Sequence, residues 1–340
     1  MKISVNIGDD ICIDAGSEYI SMYIVGKGLV LREKSSIAYN IHTNEVVAFG
    51  DEAAIGEERS PKTVKIYHPI QGGVICDSDM ACELISRLFA KIRGKKLVKP
   101  RVMLSVPASI TDVEGKAFIN AVVRAGARQV IIVPSSVTAA LGAGCDVTLA
   151  RGLMVLDIGA EKIDIAAISL SNVVVSNSLK IGGNNFTDDL KMYLKHRYNL
   201  ETGTQTCENL KIALGIKPLI PPKTETVCGS DITTHLPRKI SVSSSEILNV
   251  YDERINKISR LIKDTLDSVP PEISGDILSD GILLVGGSAN LSGLPEKLTS
   301  ASGIKIFPAE NPQLCNIKGT GLAMEHLSEL PNIAQSYYNI

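Results

Sequence analysis

The chain has 340 residues, a hydrophobic fraction of 44% and a formal net charge of -2, which suits two medium domains or one two-lobed protein with a real core. So small a charge sets up no global field to attract nucleic acid. Trp is absent and aromatics are only 4%, which argues against stacking platforms for single strands.

In chain order, residues 11–31 read as a hairpin. Ile11 to Ala15 starts it, Ile20 to Val25 continues, Gly26-Lys27-Gly28 turns and Leu29 to Leu31 returns. Val102 to Val106 is a buried strand closed by Pro107. Thr111-Asp-Val-Glu114 then has the form of a capping box, opening a helix to about Ala125 that Gly126 ends. Val130 to Val133 is a short strand, and Val137 to Ala143 a helix of small residues. Leu153 to Asp157 is a strand, Gly159 turns, Ile163 to Leu170 returns, and Val173 to Leu179 runs on to Gly182-Gly183. Residues 185–240 are more polar, with helical segments and a loop holding Pro218, Pro221 and Pro222. Ser243-x-x-Glu246 predicts the start of a long amphipathic helix through Ile247, Tyr251, Ile255, Ile258 and Ile262, stopped by Pro270-Pro271. Ile282 to Val285 is a last buried strand, leading into Gly286-Gly287-Ser288-Ala289. Strands alternate with helices, so the class is α/β.

The seven cysteines (12, 76, 82, 145, 207, 228 and 315) include no C-x-x-C, so a reducing compartment fits better than a disulfide framework or a zinc site. His42, His68, His196, His235 and His326 fall at no metal-ligand spacing. Met1 to Gly8 is too short and polar for a signal peptide, and no apolar run approaches the ~18 residues that cross a bilayer. A cytoplasmic protein is expected, one that at most touches a membrane from outside.

An internal repeat carries the functional argument. Asp14-Ala-Gly16-Ser17-Glu18-Tyr19-Ile20 returns 143 residues later as Asp157-Ile-Gly159-Ala160-Glu161-Lys162-Ile163. Each copy ends an apolar strand and begins a hairpin. A glycine turn there exposes N–H groups that bind phosphate oxygens, and the preceding Asp can hold a hydrated Mg²⁺. Two such turns suggest a ligand in a cleft between two like domains. At Gly286-Gly287-Ser288 the backbone can approach a base or a sugar. Glu208 and Lys211, spaced i, i+3 on a predicted helix, read as an ion pair or as one wall of an adenosine site.

In these turns the chain resembles the superfamily of actin, sugar kinases and DnaK-type chaperones, and specifically the MreB family of bacterial actin-like cell-shape proteins. The likeness lies in Pro69-Ile-Gln-Gly-Gly-Val-Ile-Cys-Asp77, Pro100-Arg-Val-Met-Leu-Ser-Val-Pro107, Ile110-Thr-Asp-Val-Glu114 and Arg124-Ala-Gly-Ala127. Leu141-Gly-Ala-Gly144, Pro270-Pro-Glu272 and Gly281-Ile-Leu-Leu-Val-Gly-Gly287 extend it over nearly the whole chain. The resemblance implies an actin-like (ribonuclease H-like, duplicated) fold with two lobes and four subdomains around a nucleotide cleft. Domain I would be 1–150 (IA at 1–31 and 68–150, IB at 32–67), and domain II 151–309 (IIA at 151–184 and 245–309, IIB at 185–244). Residues 310–340 would return to IA. It further implies ATP and Mg²⁺ in the cleft and self-assembly into filaments, IIA of one subunit against IB and IIB of the next. These would lie on the inner membrane surface with anionic lipid and membrane-bound wall-synthesis and shape proteins. Asp14, Gly16, Ser17, Asp157 and Gly159 match the phosphate and metal positions, with Asp14 and Asp157 reaching Mg²⁺ through water. Glu18, Tyr19, Ala160, Glu161 and Lys162 complete the two turns. Glu208, Lys211, Gly286, Gly287, Ser288 and Ala289 match the adenosine side.

Three departures bear on chemistry. The family's D-L-G-T-A-N is here Asp14-Ala-Gly-Ser-Glu18-Tyr19, and its D-I-G-G-G-T-T-E is Asp157-Ile-Gly-Ala160-Glu161-Lys162-Ile-Asp164. Where the family carries its water-positioning glutamate stands Ser135, in Pro134-Ser-Ser-Val-Thr-Ala-Ala-Leu-Gly-Ala-Gly144. ATP hydrolysis is therefore expected to be weak or absent. Carboxylates at Glu18 and Glu161 are expected to weaken nucleotide binding, which leaves a nucleotide-independent scaffold as an alternative and a small-molecule kinase of the superfamily as a poorer one. Lys91 to Arg101 carries six basic residues and no acidic one. The family's membrane loop falls there, so Leu97 and Val98, flanked by Lys95, Lys96 and Lys99, are the expected membrane contact.

Overall fold

Short apolar strands that end at an acidic residue and a glycine turn open each of two units in the computed structural model, which describes residues 8–56, 62–93, 98–330, 333–334 and 336–339. Unit 1 is Met1–Arg151, Ile168–Val174 and Leu314–Ile340, and unit 2 is Gly152–Ala167 and Val175–Gln313.

Unit 1 begins with β1 (Asp10–Ala15), β2 (Tyr19–Ile24) and β3 (Gly28–Lys34), so the expected hairpin is a three-stranded meander. Then come β4 (Ile37–Asn40), β5 (Glu45–Phe49), α1 (Asp51–Ile55), β6 (Val64–Tyr67), β7 (Ile70–Gln71), β8 (Val74–Ile75) and α2 (Ser78–Arg93). The run closes with β9 (Arg101–Val106), α3 (Asp112–Arg124), β10 (Gln129–Pro134) and α4 (Ser135–Gly142). The Thr111–Glu114 capping box forms as expected, with Thr111 N–H donating to Glu114 Oε2 at 2.9 Å.

Unit 2 holds β11 (Leu153–Ile158), β12 (Ile163–Ser169), β13 (Asn172–Leu179), α5 (Gly183–Tyr198), β14 (Leu200–Glu201), α6 (Thr204–Leu214), β15 (Thr224–Asp231) and β16 (Pro237–Ser243). It continues with α7 (Asp252–Asp267), α8 (Pro271–Asp280), β17 (Ile282–Val285), α9 (Leu294–Ser302) and β18 (Ile306–Pro308), and the connection between β12 and β13 belongs to unit 1. The chain then returns to unit 1 as α10 (Cys315–Glu325) and β19 (Ser336–Asn339).

The main sheet of unit 1 has the order β19-β10-β9-β1-β2-β3. Residues alternate between its faces. Ile11, Ile13, Ile20, Met22, Val102 and Leu104 join Leu84, Leu88, Phe118 and Val122 of α2 and α3 in one core. The opposite face carries a polar row. Register pairs Asp14 with Ser21 and with Ser105, and Ser21 with Arg32, so the four residues line up across β9, β1, β2 and β3. That face is covered by α4 and α10, which meet backbone to backbone. A Cβ on Gly319 would stand 1.6 Å from the Thr138 carbonyl oxygen, and one on Gly142 1.8 Å from that of Cys315.

The sheet of unit 2 runs β13-β12-β11-β17-β18. Its core gathers Leu156, Ile165, Leu190, Ile258 and Leu284, with Phe186 and Tyr251 rings 5.4 Å apart. One expectation is met and extended here, and another needs correction. The polar stretch 185–240 contains, besides two helices, the β15–β16 ladder. The helix expected directly after Ser243-x-x-Glu246 begins only at Asp252. Glu246 does accept the Ser243 N–H at 2.9 Å, but it also binds the Tyr198 hydroxyl, while the Ser243 hydroxyl pairs with Ser245. The motif therefore closes a turn, and Ile247 and Tyr251 are buried ahead of the helix.

Candidate nucleotide-binding turns

The repeated motif adopts the same turn twice. Gly16 N–H donates to the Tyr19 carbonyl at 3.0 Å, and Gly159 N–H to the Lys162 carbonyl at 2.9 Å. A Cβ would crowd each glycine alike, at 3.0 Å from Tyr19 O and 3.1 Å from Lys162 O. The glycine N–H thus closes the turn itself, so a phosphate would be met by the N–H groups that follow it.

In unit 1, Asp14 ends β1 on the polar face. Its Oδ1 accepts the Asn316 amide N–H at 2.9 Å, and Asn316 Oδ1 accepts the Ser105 hydroxyl at 2.7 Å and is also bonded to Thr138 Oγ1. The two hydroxyls fix which way the amide points. Burial pushes Asp14 up to about 6, against the lowering influence of the Asn316 hydrogen bond and of the Arg32 charge. A carboxylate held up by burial gains from a nearby cation. Ser17 Oγ accepts the Gly73 N–H at 3.1 Å. Glu18, expected to repel phosphates, is instead ion-paired with Lys34. Tyr19 carries the Arg32 guanidinium 3.7 Å and the Lys34 ammonium 4.5 Å from its ring centre. Ser135 is the first residue of α4 and buried, and α4 holds no acidic residue in its first turn.

In unit 2, the candidate residues form one connected network. The Gly159 carbonyl accepts the Gly183 N–H at 2.9 Å and the Ser288 hydroxyl at 3.1 Å, and the Ala160 carbonyl accepts the Asn184 N–H at 2.8 Å. Lys211 is buried, with its Nζ 2.9 Å from the Gly183 carbonyl, 2.9 Å from Thr187 Oγ1 and 2.6 Å from Glu208 Oε2. An ammonium has three N–H donors, so Lys211 anchors the start of α5 to α6, and the pair with Glu208 is no solvated surface pair. Asp157 packs against Gly286, whose φ is +89° and where a Cβ would lie 2.3 Å from Asp157 Oδ1. Ala289 is buried behind it, while a Cβ on Gly287 would meet nothing within 4 Å. Lys162 pairs with Asp164 at 2.8 Å.

Each turn by itself offers the kinds of donor, a carboxylate and backbone N–H groups, that a magnesium nucleotide would need. Among the described residues no group of three or more His, Cys, Asp or Glu could hold a metal, so an ion here would rely on Asp14 or Asp157 singly, with water and phosphate oxygens completing its shell. The open backbone at Gly287 leaves room for a flat group. Ser105, Thr138, Asn316 and Arg32 are absent from the residues read off the sequence. Ser105 and Thr138 do break apolar segments, which is a usable signal. Asn316 gave none, since its partner Asp14 lies 302 positions away.

Of the residues expected from the sequence to contact a membrane, Lys95, Lys96 and Leu97 lie outside the described residues, while Val98 and Lys99 are exposed. Among the described residues no helix is long and apolar enough to cross a membrane.

The chain is similar to known proteins over nearly its whole length. Residues 8–332 match the family model described as MreB/Mbl protein. The cell shape-determining protein Mbl of Bacillus cereus is 35% identical over 327 residues, covering 96% of this chain and 98% of that protein. MreB5 of Spiroplasma citri, solved bound to AMPPNP, superposes with a TM-score of 0.91 at 31% identity, over 95% of this chain and 98% of that one. The MamK double helical filament shares the fold, with a TM-score of 0.76 at 18% identity over 93% of this chain and 99% of that one.

Proposed function

Because this chain belongs to the MreB/Mbl family and carries its actin-like fold, we propose that it is a cell-shape cytoskeletal protein that binds ATP and assembles into filaments on the inner face of the cell membrane. The observation that carries the nucleotide part is the twice-built turn, with its matching Gly16 and Gly159 hydrogen bonds and an aspartate two residues before each glycine. The 3.1 Å bond from Ser288 to the Gly159 carbonyl supports a site that takes the phosphates and the adenosine side together in unit 2. Asp14 and Asp157 would hold Mg²⁺ through water, and the metal would supply charge neutralisation for the phosphates. Residues 32–67 and 185–244 serve in this reading as the two outer subdomains, IB and IIB, and the membrane-bound partners are wall-synthesis and shape proteins.

Hydrolysis is absent or slow. A serine at 135 cannot orient water as a carboxylate does, and such positioning contributes ~10²–10⁴-fold. The pairing of Glu18 with Lys34 removes one of the two expected repulsions, which favours retained binding over the nucleotide-independent scaffold. Electron microscopy of the purified protein on anionic vesicles, with and without ATP, tests the assembly. Phosphate release by the unmodified protein and by Ser135→Glu tests the chemistry. Rapid Mg²⁺-dependent turnover by the unmodified protein contradicts the second claim, and a protein that stays monomeric across salt, nucleotide and lipid conditions contradicts the first.

A further inference from the structure

The first turn differs from the second in what stands beside it. Register places Arg32 on the Asp14 face of the sheet, two strands away, with only the small Ser21 between them. Its guanidinium leans toward the turn and rests 3.7 Å from the centre of the Tyr19 ring, the first residue after the loop. The other cation on that ring, Lys34, is spent on Glu18. Arg101, by contrast, is committed to Asp10 and Arg254 to Asp189. Among the described residues no carboxylate oxygen lies within 4.0 Å of Arg32, and its side chain is exposed. A planar fork of five donors is thus held in place by a ring, its charge felt by Asp14 but in no close ion pair among the described residues.

We propose that Arg32 is a phosphate-binding residue of the Gly16 turn, shelved on Tyr19 so that its guanidinium takes up phosphate oxygens of a bound nucleoside triphosphate. The inference rests on the reading of this chain as a nucleotide-binding protein. It assigns a purpose to Tyr19: the ring restricts a long side chain that would otherwise lose rotamer freedom on binding. It also explains how a turn bearing Glu18 can receive an anion, since Lys34 neutralises the carboxylate and Arg32 adds a further positive charge.

The test is titration of a fluorescent ATP analogue into the full chain with Mg²⁺, comparing the unmodified protein with Arg32→Met, Arg32→Lys and Tyr19→Leu. Lys65→Met serves as control, because Lys65 lies over the Tyr67 ring at 4.9 Å, away from the turn. A lost charge-assisted bond predicts about a ten- to hundredfold weaker affinity for Arg32→Met. Arg32→Lys should fall between, Tyr19→Leu should weaken binding less than Arg32→Met, and Lys65→Met should not change it. The unfolding temperature without nucleotide should be the same in all. The Arg32→Met deficit should shrink as salt rises, which a packing role would not produce. Affinity of Arg32→Met within twofold of the unmodified protein overturns the role of Arg32 and leaves nucleotide binding standing. An unmodified protein that binds no ATP analogue overturns both. Should Arg32→Met fail to fold, unchanged affinity in both Arg32→Lys and Tyr19→Leu overturns the proposal by the same measure.

Discussion

Gly286 and Gly287 are neighbours of identical type with opposite tolerance. At Gly286 a side chain meets both a positive φ of +89° and the Asp157 carboxylate at 2.3 Å, whereas at Gly287 it enters open space. Gly286→Ala should cost about 2 kcal/mol or more and displace Asp157, while Gly287→Ala should leave the urea midpoint almost unmoved. Equal midpoints for the two variants would refute this. A second single-residue test uses acid. Burial works against the charge on Glu246, but the Tyr198 hydroxyl, the Ser243 N–H and the Tyr193 hydroxyl hold it below the ordinary carboxylate range. Its contribution is therefore complete above the unfolded value of about 4.3 and lost as pH falls through the lower folded value. Glu246→Gln should unfold at lower urea than the unmodified protein at neutral pH, and the two should converge on acidification below pH 4. A gap that persists unchanged into acid would exclude the linkage.

Helices α4 and α10 approach so closely that their glycines are structural requirements of the pair. With the Thr138 carbonyl 1.6 Å from where a Cβ on Gly319 would sit, Gly319→Ala must push α10 outward. Overpacking of this kind costs about 1–3 kcal/mol, occasionally more, and the displaced helix takes Asn316 away from Asp14. Gly275 in α8 is the converse, exposed and with nothing within 4 Å, so Gly275→Ala should stabilise by about 0.5–1 kcal/mol. Urea unfolding of both variants checks the pair, and a tolerated Gly319→Ala would remove the argument for backbone contact. This scale also marks where the sequence stopped being legible. The β1, β9, β11 and β17 strands and both Asp-x-Gly turns could be read because apolar runs and turn residues are local signals. The start of α7 could not, because Tyr198, 48 positions earlier, claims the carboxylate that local pattern assigns to a helix cap. The Asp14–Asn316 bond and the stacking of Arg32 on Tyr19 depend on packing and strand register, which no local pattern reports.

At the scale of the whole molecule, membrane attachment should be a property of the assembly. Each cation near an anionic surface contributes about 1 kcal/mol, and burying the Leu97 and Val98 side chains adds roughly 3 kcal/mol or more. In the proposed reading a single copy would then bind weakly and a filament tightly. Leu97→Ser combined with Val98→Ser should abolish flotation with anionic vesicles while filaments persist in solution, and unchanged flotation would rule that loop out. The return of the chain to unit 1 at Leu314 has a consequence of another kind. A ribosome finishes every residue of unit 2 before it reaches α10, the helix that covers the Asp14 face of the first sheet. Unit 2, whose two segments are both made by then, can therefore fold on the nascent chain, while unit 1 waits with Asp14, Ser105 and the glycine face of α4 uncovered. Synthesis of the segment from Leu314 onward, and not of the first strands, is the event that completes unit 1, and a nascent chain arrested before residue 314 should show a protease-resistant unit 2 beside a digestible unit 1.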